Sequence, residues 1–96
     1  MSEIQRIGVV GAGQMGNGIA QVSSLAGYSV TLTDISESAV ANGMANIEKN
    51  LGRMVRKERI TAAEAELALG RISSSVELAS LKETQLVIEA ATERVD

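Results

Sequence analysis

The chain has 96 residues, a net charge of −3, 45% hydrophobic residues and one aromatic residue, Tyr28. This size suits one small domain with an aliphatic core, and the acidic balance argues against nucleic acid as the main partner. The lack of cysteine and histidine excludes disulfides, thiolate metal sites, a cysteine nucleophile and the commonest general base. No apolar run approaches the ~18 residues of a membrane helix, and only MSEIQR precedes the first apolar run. We therefore expect a cytoplasmic protein without membrane contact.

The first three predicted elements are a strand, a helix and a strand. Residues 4–10, IQRIGVV, are short, β-branched and followed by glycine, which predicts a buried strand. Residues 14–26 predict a helix that stops at Gly27, and residues 28–34, YSVTLTD, predict a second strand. Apolar side chains in the helix recur at spacings of four, three and four residues, which predicts its buried face: Met15, Ile19, Val22 and Ala26.

Two helices follow the second strand. Ser36 is placed to cap a long helix that runs to about residue 59. This helix has a regular apolar stripe: Val40, Met44, Ile47, Leu51 and Met54. Gly43 lies inside it and lowers its stability by about 1 kcal/mol relative to alanine. Thr61 to Glu64, TAAE, is a capping box for a third helix, which Gly70 should end.

The last two predicted elements are strands, a weak one at 71–76 and a stronger one at 85–90. Strands that alternate with helical crossovers predict an α/β fold with a Rossmann-type, doubly wound parallel sheet. The sheet is incomplete, with about four strands in the order 3-2-1-4. That order places strand 85–90 at an edge, although residues 86–88 are apolar on both faces. We therefore expect residues 1–96 to be the N-terminal part of a longer protein.

The sequence GAGQMG, residues 11–16, fits the pattern G-x-G-x-x-G at the predicted strand–helix junction. In this pattern Gly11 permits a tight turn, and Gly13 lets a pyrophosphate approach the backbone. Gly16 allows the helix to pack closely on the sheet. Asp34 ends the second strand 18 residues after Gly16, at the distance expected for a carboxylate that binds ribose hydroxyls. The pattern, its context and the acid together predict a dinucleotide site.

Two details refine this interpretation. A 2′-phosphate would be repelled by Asp34, and residues 35–41 contain no basic side chain, so NAD is favoured over NADP. The first turn of the helix supplies unpaired N–H groups and the positive end of its dipole to the phosphates. The alternative is that the glycines serve packing alone and that Asp34 is an ordinary loop acid. We assign Gly18, further along the helix, to close helix packing.

Five of the nine basic residues fall between positions 49 and 59: Lys49, Arg53, Arg56, Lys57 and Arg59. Basic side chains are favoured at a helix C-terminus by the helix dipole, so this cluster is consistent with a solvated helix face. It is equally the type of cluster that binds a substrate with several phosphates. The residues alone leave both interpretations open.

The segments IGVVGAGQMGNGIAQVSSLAGYSVTLTDIS and LVIEAATE resemble the N-terminal NAD-binding domain of 3-hydroxyacyl-CoA dehydrogenases, most closely the bacterial 3-hydroxybutyryl-CoA type. The resemblance implies an NAD-dependent interconversion of L-3-hydroxyacyl-CoA and 3-ketoacyl-CoA. It also implies a set of NAD-binding residues: Gly11, Ala12, Gly13, Gln14, Met15, Gly16, Asp34 and, near the nicotinamide, Glu93. It gives Glu89 no direct role.

The resemblance further implies that the helix pair contacts coenzyme A. Lys57 matches a family lysine at that site, and Asn50 stands where some members carry serine. The catalytic histidine and glutamate of the family, with their serine and asparagine, lie further along a longer chain. Residues 1–96 therefore contain no predicted catalytic residue and should be inactive alone. A homodimer is expected only for the longer chain.

Other classes of protein share the glycine turn. A regulatory Rossmann module that senses NAD would have the turn and Asp34, but it would need neither the basic helix pair nor the IEAATE segment. Enzymes of the 2-hydroxyacid type tend to carry a basic residue just after the second strand, which is missing here. Flavin-dependent oxidoreductases usually hold their flavin tightly, so a colourless protein would argue against that class.

Overall fold

A computed structural model of the chain describes residues 5–76, 81, 84 and 86–89. The elements are, in chain order, β1 (Arg6–Val10), α1 (Gln14–Leu25), β2 (Ser29–Thr33), α2 (Glu37–Arg56), α3 (Ala62–Gly70), β3 (Ile72–Ser75) and β4 (Leu86–Glu89). Each predicted element is present, and α2 ends at Arg56 rather than near residue 59. Within the described ranges, no helix has both the length and the apolar character needed to cross a membrane.

The four strands form one parallel sheet in the order β3-β2-β1-β4, which confirms the predicted order. Val10, the last residue of β1, is in register with Thr33 at the end of β2 and with Glu89 at the end of β4. The carboxyl ends of these strands therefore meet at one edge of the sheet. The segments that follow β1 and β2 meet there too, so this edge is where a ligand would be expected.

The core lies between the sheet and the helices. Ile7, Val9 and Leu32 are buried in the sheet and pack in one cluster with Ile47 and Leu51 of α2. On β1, Gly8 points away from these side chains, and a Cβ atom there would meet the side chains of Leu81 and Thr84. Leu81 and Thr84 therefore lie on the other face of the sheet, which a doubly wound fold also covers.

The predicted buried face of α1 is wrong. Met15 is 59% exposed and Val22 is 66% exposed, Ala26 is also exposed, and only Ile19 of that face packs against the core. The buried residues of the helix are Gly16, Asn17, Ala20 and Ser24. Small side chains at spacings of four bring the helix axis close to the sheet, so the large apolar side chains point elsewhere. Gly18 takes no part in this packing, because a Cβ there would meet nothing within 4 Å.

The predicted buried face of α2 is confirmed, and the structure explains why residue 43 is glycine. A Cβ at Gly43 would lie 2.7 Å from the carbonyl oxygen of Ala12, so only glycine lets α2 pack directly against the glycine turn. The caps are also as predicted. The Ser36 side chain accepts the Ala39 N–H at 3.2 Å, and Thr61 forms the capping box at the start of α3.

α1 and α2 end in the same way but with different residues. In each, the residue after the C-cap is left-handed, and the following N–H reaches back five positions, as from Arg59 to Met54 in α2 at 2.9 Å. α1 uses Gly27 at this position, with φ of 106°. α2 uses Glu58, with φ of 60°, which is unfavourable by about 1–2 kcal/mol for a residue with a Cβ.

We expect Glu58→Gly to raise the free energy of unfolding by about 1 kcal/mol, because glycine adopts this conformation without the Cβ penalty. The measurement is urea denaturation followed by circular dichroism. Glu66→Gly, at an exposed position inside α3, is the control and should lower the same free energy by about 1 kcal/mol. A loss of stability in Glu58→Gly would contradict the prediction.

Candidate functional site

The glycine turn joins the end of β1 to the start of α1. Gly11 has a φ of 104°, so a residue with a Cβ would be strained there. Its N–H donates to the carbonyl oxygen of Thr33 at 2.8 Å, which ties the turn to the end of β2. Gly11 thus makes the tight turn that the sequence predicts.

The N-terminus of α1 is open. Gly13 is the N-cap, so no side chain caps the helix, and the first turn carries no acidic residue. A Cβ at Gly13 would meet nothing within 4 Å, and the neighbouring Gln14 and Met15 are exposed. The first N–H groups of a helix have no partner within the helix, and the helix dipole places partial positive charge there. This end of α1 can therefore bind an anion such as a pyrophosphate.

Asp34 lies beside the turn and connects two backbone segments. One carboxylate oxygen accepts the N–H of Ala12 at 2.9 Å, and the other accepts the N–H of Ser36 at 3.0 Å. The hydrogen bond from Ala12, followed by that from Ser36, lowers the pKa of the Asp34 carboxyl, while partial burial opposes the shift. Each carboxylate oxygen has a second lone pair, so the ionised group can also accept ribose hydroxyls.

A groove of about 510 Å³ lies between α1 and α2 and reaches the glycine turn. Its lining residues are Ala12, Gly13, Gln14, Asn17, Ala39, Asn42, Gly43, Asn46, Lys49, Asn50 and Arg53. It therefore brings together part of the predicted cofactor site, the predicted coenzyme A residue Asn50 and two members of the basic cluster. Asn50 accepts a hydrogen bond from Arg53 at 3.3 Å.

Other predicted site residues lie elsewhere. Gly16 lies on the buried face of α1. Lys57 is the exposed C-cap of α2 and does not line the groove. It follows Asn50 by seven residues, or about two helical turns, so it lies near the same side of the helix axis. Glu93 lies outside the described residues.

Three polar residues of the lining were not predicted from the sequence: Asn17, Asn42 and Asn46. A signal for two of them was present, since Asn42, Asn46 and Asn50 recur every four residues and share one side of α2. This polar repeat lies outside the apolar stripe that predicts the buried face of the helix. Asn17 has no comparable signal, because its partner helix is distant in sequence.

We expect the stability of the chain to depend on the ionisation of Asp34. Its folded pKa is lowered, so its contribution is complete above the unfolded value of about 3.9 and is lost as the pH falls through the folded value. The free energy of unfolding should therefore decline less between about pH 5 and pH 2 in Asp34→Asn than in the parent chain. Glu48→Gln, at an exposed position on α2, is the matched control and should keep the parent slope. Equal slopes for Asp34→Asn and the parent would contradict the prediction.

Comparison with known proteins identifies close relatives. Residues 6–96 match the family described as 3-hydroxyacyl-CoA dehydrogenase, NAD binding domain. The 3-hydroxybutyryl-CoA dehydrogenase of Bradyrhizobium diazoefficiens is 47% identical over 91 residues, which are 95% of this chain and 31% of that protein. The crystal structure of (S)-3-hydroxybutyryl-CoA dehydrogenase from Ralstonia eutropha matches with a TM-score of 0.92 and 47% identity, over 98% of this chain and 33% of that one.

A third relative, the 3-hydroxyadipyl-CoA dehydrogenase of Escherichia coli, is 36% identical over the whole chain and 20% of its own length. The chain thus spans about a third or less of the length of these relatives. NAD is the cofactor that the matched family binds, in agreement with the interpretation of the glycine turn. By its sequence, its sheet order and its glycine turn, the chain belongs to the 3-hydroxyacyl-CoA dehydrogenase family and matches the NAD-binding domain of that family.

Proposed function

We propose that the chain supplies the cofactor-binding part of an enzyme that interconverts L-3-hydroxyacyl-CoA and 3-ketoacyl-CoA with NAD. The observation that carries this proposal is the open N-terminus of α1 at Gly13, which Asp34 fixes beside the end of β2. Relatives named 3-hydroxybutyryl-CoA dehydrogenase support a short-chain substrate of that kind.

The glycine turn and Asp34 bind different parts of NAD. The N–H groups of the first turn of α1, at Gln14, Met15 and Gly16, receive the pyrophosphate, and the bare Cα of Gly13 lets it approach. Gly11 and Ala12 shape the turn, because the Ala12 N–H is already held by Asp34. The remaining lone pairs of Asp34 accept the adenosine ribose hydroxyls, and its negative charge opposes the 2′-phosphate of NADP. We assign Glu93 a contact near the nicotinamide from the family resemblance.

The basic end of the groove is the proposed site for the phosphates of coenzyme A. Lys49 and Arg53 line it, Asn50 is held by Arg53, and Lys57 is exposed two turns beyond Asn50. Guanidinium and ammonium groups bind phosphate through charge-assisted hydrogen bonds. The same groove reaches the glycine turn, so an acyl-CoA bound here is close to the cofactor.

Chemistry on the substrate needs groups from a longer chain. NAD held at the glycine turn would supply the hydride acceptor, and a positioned base would have to take the hydroxyl proton. The sequence contains no histidine. We therefore propose that residues 1–96 are inactive alone and that the longer enzyme, which we expect to be a cytoplasmic homodimer, provides the base. A purely regulatory NAD-sensing module would bind NAD without affinity for coenzyme A.

We expect Gly13→Ala to weaken NADH binding about tenfold and to leave the fold intact. The added methyl has free space in the chain itself but lies where the pyrophosphate approaches, and a tenfold change corresponds to about 1.4 kcal/mol. Titration followed by NADH fluorescence measures the affinity. Gly18→Ala is the matched control, since it adds the same methyl in open space on the same helix and should leave the affinity unchanged. Equal affinities for both variants would contradict the placement.

We expect Lys57→Ala to weaken the binding of coenzyme A several-fold, because one phosphate loses an ammonium partner. Isothermal titration of the 96-residue chain measures this affinity. Lys57→Arg should retain most of it, and Arg59→Ala, which removes an equal charge outside α2, should have a smaller effect. If Lys57→Ala and Arg59→Ala reduce the affinity equally, the effect is one of net charge and Lys57 has no specific contact.

A further inference from the structure

Asn17 carries a buried carboxamide just behind the open N-terminus of α1. The residue is only 5% exposed, and its side-chain nitrogen donates to the carbonyl oxygen of Gly13 at 2.7 Å. The backbone N–H of Asn17 donates to the same oxygen at 2.9 Å. The carbonyl of the N-cap residue therefore accepts two hydrogen bonds from one residue, whereas the regular helix supplies only one.

Packing and stability do not explain an asparagine at this position. Its amide oxygen has no hydrogen-bond partner among the residues that the structure describes, and a buried acceptor without a partner is destabilising. Asparagine is also a poorer helix former than alanine or leucine. The other buried residues of this face are small: Gly16, Ala20 and Ser24. Asn17 belongs to the lining of the groove that reaches Gly13, so its carboxamide lies where a bound molecule would approach.

The peptide between Gly13 and Gln14 connects the carbonyl that Asn17 holds to the proposed anion site. In a planar trans peptide, the C=O and the following N–H point in opposite directions. Two donors at the Gly13 carbonyl oxygen therefore direct the Gln14 N–H outward from the end of the helix. Gly13 needs such a restraint, because it has no Cβ, no side-chain cap, and no atom within 4 Å of the position a Cβ would take.

We propose that Asn17 is a positioning residue for the cofactor, which holds the Gly13 carbonyl and thereby aims the Gln14 N–H at the pyrophosphate of NAD. It acts through the backbone and does not itself contact the phosphates. Asp34 holds the N–H of Ala12 at 2.9 Å, so the turn is restrained on both sides of Gly13. A donor that is already oriented binds more tightly, since less conformational freedom is lost on binding. This inference rests on the proposed binding of NAD at the glycine turn.

The test compares two variants that differ in one group. Asn17→Thr keeps a donor, because a threonine hydroxyl in a helix can donate to the carbonyl four residues earlier. Asn17→Val has nearly the same shape and no donor. We expect Asn17→Val to weaken NADH binding about tenfold in fluorescence titrations, and Asn17→Thr to stay within threefold of the parent chain. Adenosine, which has the ribose without phosphate, should bind both variants within twofold of the parent in NMR titrations.

Ser24→Ala is the matched control. It removes another buried side-chain donor of α1, which donates to the Gln21 carbonyl at 2.9 Å, far from the glycine turn. NADH affinity should be unchanged in this variant. A second measurement uses the parent chain alone, so it does not depend on the folding of any variant. On addition of ADP, the Gln14 N–H resonance should shift further than the side-chain amide resonances of Asn17.

Four results would overturn the positioning role and leave NAD binding at the turn intact. They are an unchanged NADH affinity in Asn17→Val, an equal loss in Asn17→Val and Asn17→Thr, a matching loss of adenosine affinity in Asn17→Val, and a larger shift at the Asn17 side chain than at Gln14. The last would indicate direct contact with the ligand. If the parent chain does not bind NADH, the proposed function fails and this inference fails with it.

Discussion

The Asp34 carboxylate is the connection on which the site depends. It holds one N–H from the glycine turn and one from the loop before α2, and it thereby fixes the start of α1 relative to the start of α2. The contact between Gly43 and the Ala12 carbonyl presses α2 against the same turn. Since charge-assisted hydrogen bonds are the stronger kind, an ionised Asp34 keeps the turn ordered before any ligand arrives. The residue that we propose as the determinant of NAD over NADP would therefore also build the surface on which NAD lies.

This arrangement would allow one small unit to bind the two anionic ligands that we propose for it. α1 and α2 both begin at the carboxyl edge of the sheet, so they run side by side and leave a groove between them. The helix dipole makes the N-terminal end of α1 positive without any basic side chain. The far end of the groove depends on Lys49 and Arg53 instead. In the proposed function, the separate origins of these two positive regions would keep the cofactor and the coenzyme A phosphates from competing for the same groups.

The sequence predicts well the features that depend on residues close together in the chain. Ser36 and Thr61 mark helix starts, the strands have β-branched runs, and the spacing from Gly16 to Asp34 indicates the cofactor edge. The face of α1 could not be predicted in this way, because close approach to the sheet selects small residues there and leaves Met15 and Val22 outside. The left-handed Glu58 and the groove were also missed, since both depend on how α2 ends and on what it packs against.

The asparagines that line the groove lower the stability of the fold. Asparagine is a poorer helix former than alanine by several tenths of a kcal/mol, and α2 contains three of them on one side. Asn17 adds a buried acceptor without a partner among the described residues. Packing does not require Asn42 and Asn46, because alanine would fit at these exposed positions of α2 and would favour the helix. Local choices that oppose the fold are expected where a surface binds something. The groove is therefore better explained as a binding surface than as a by-product of helix packing.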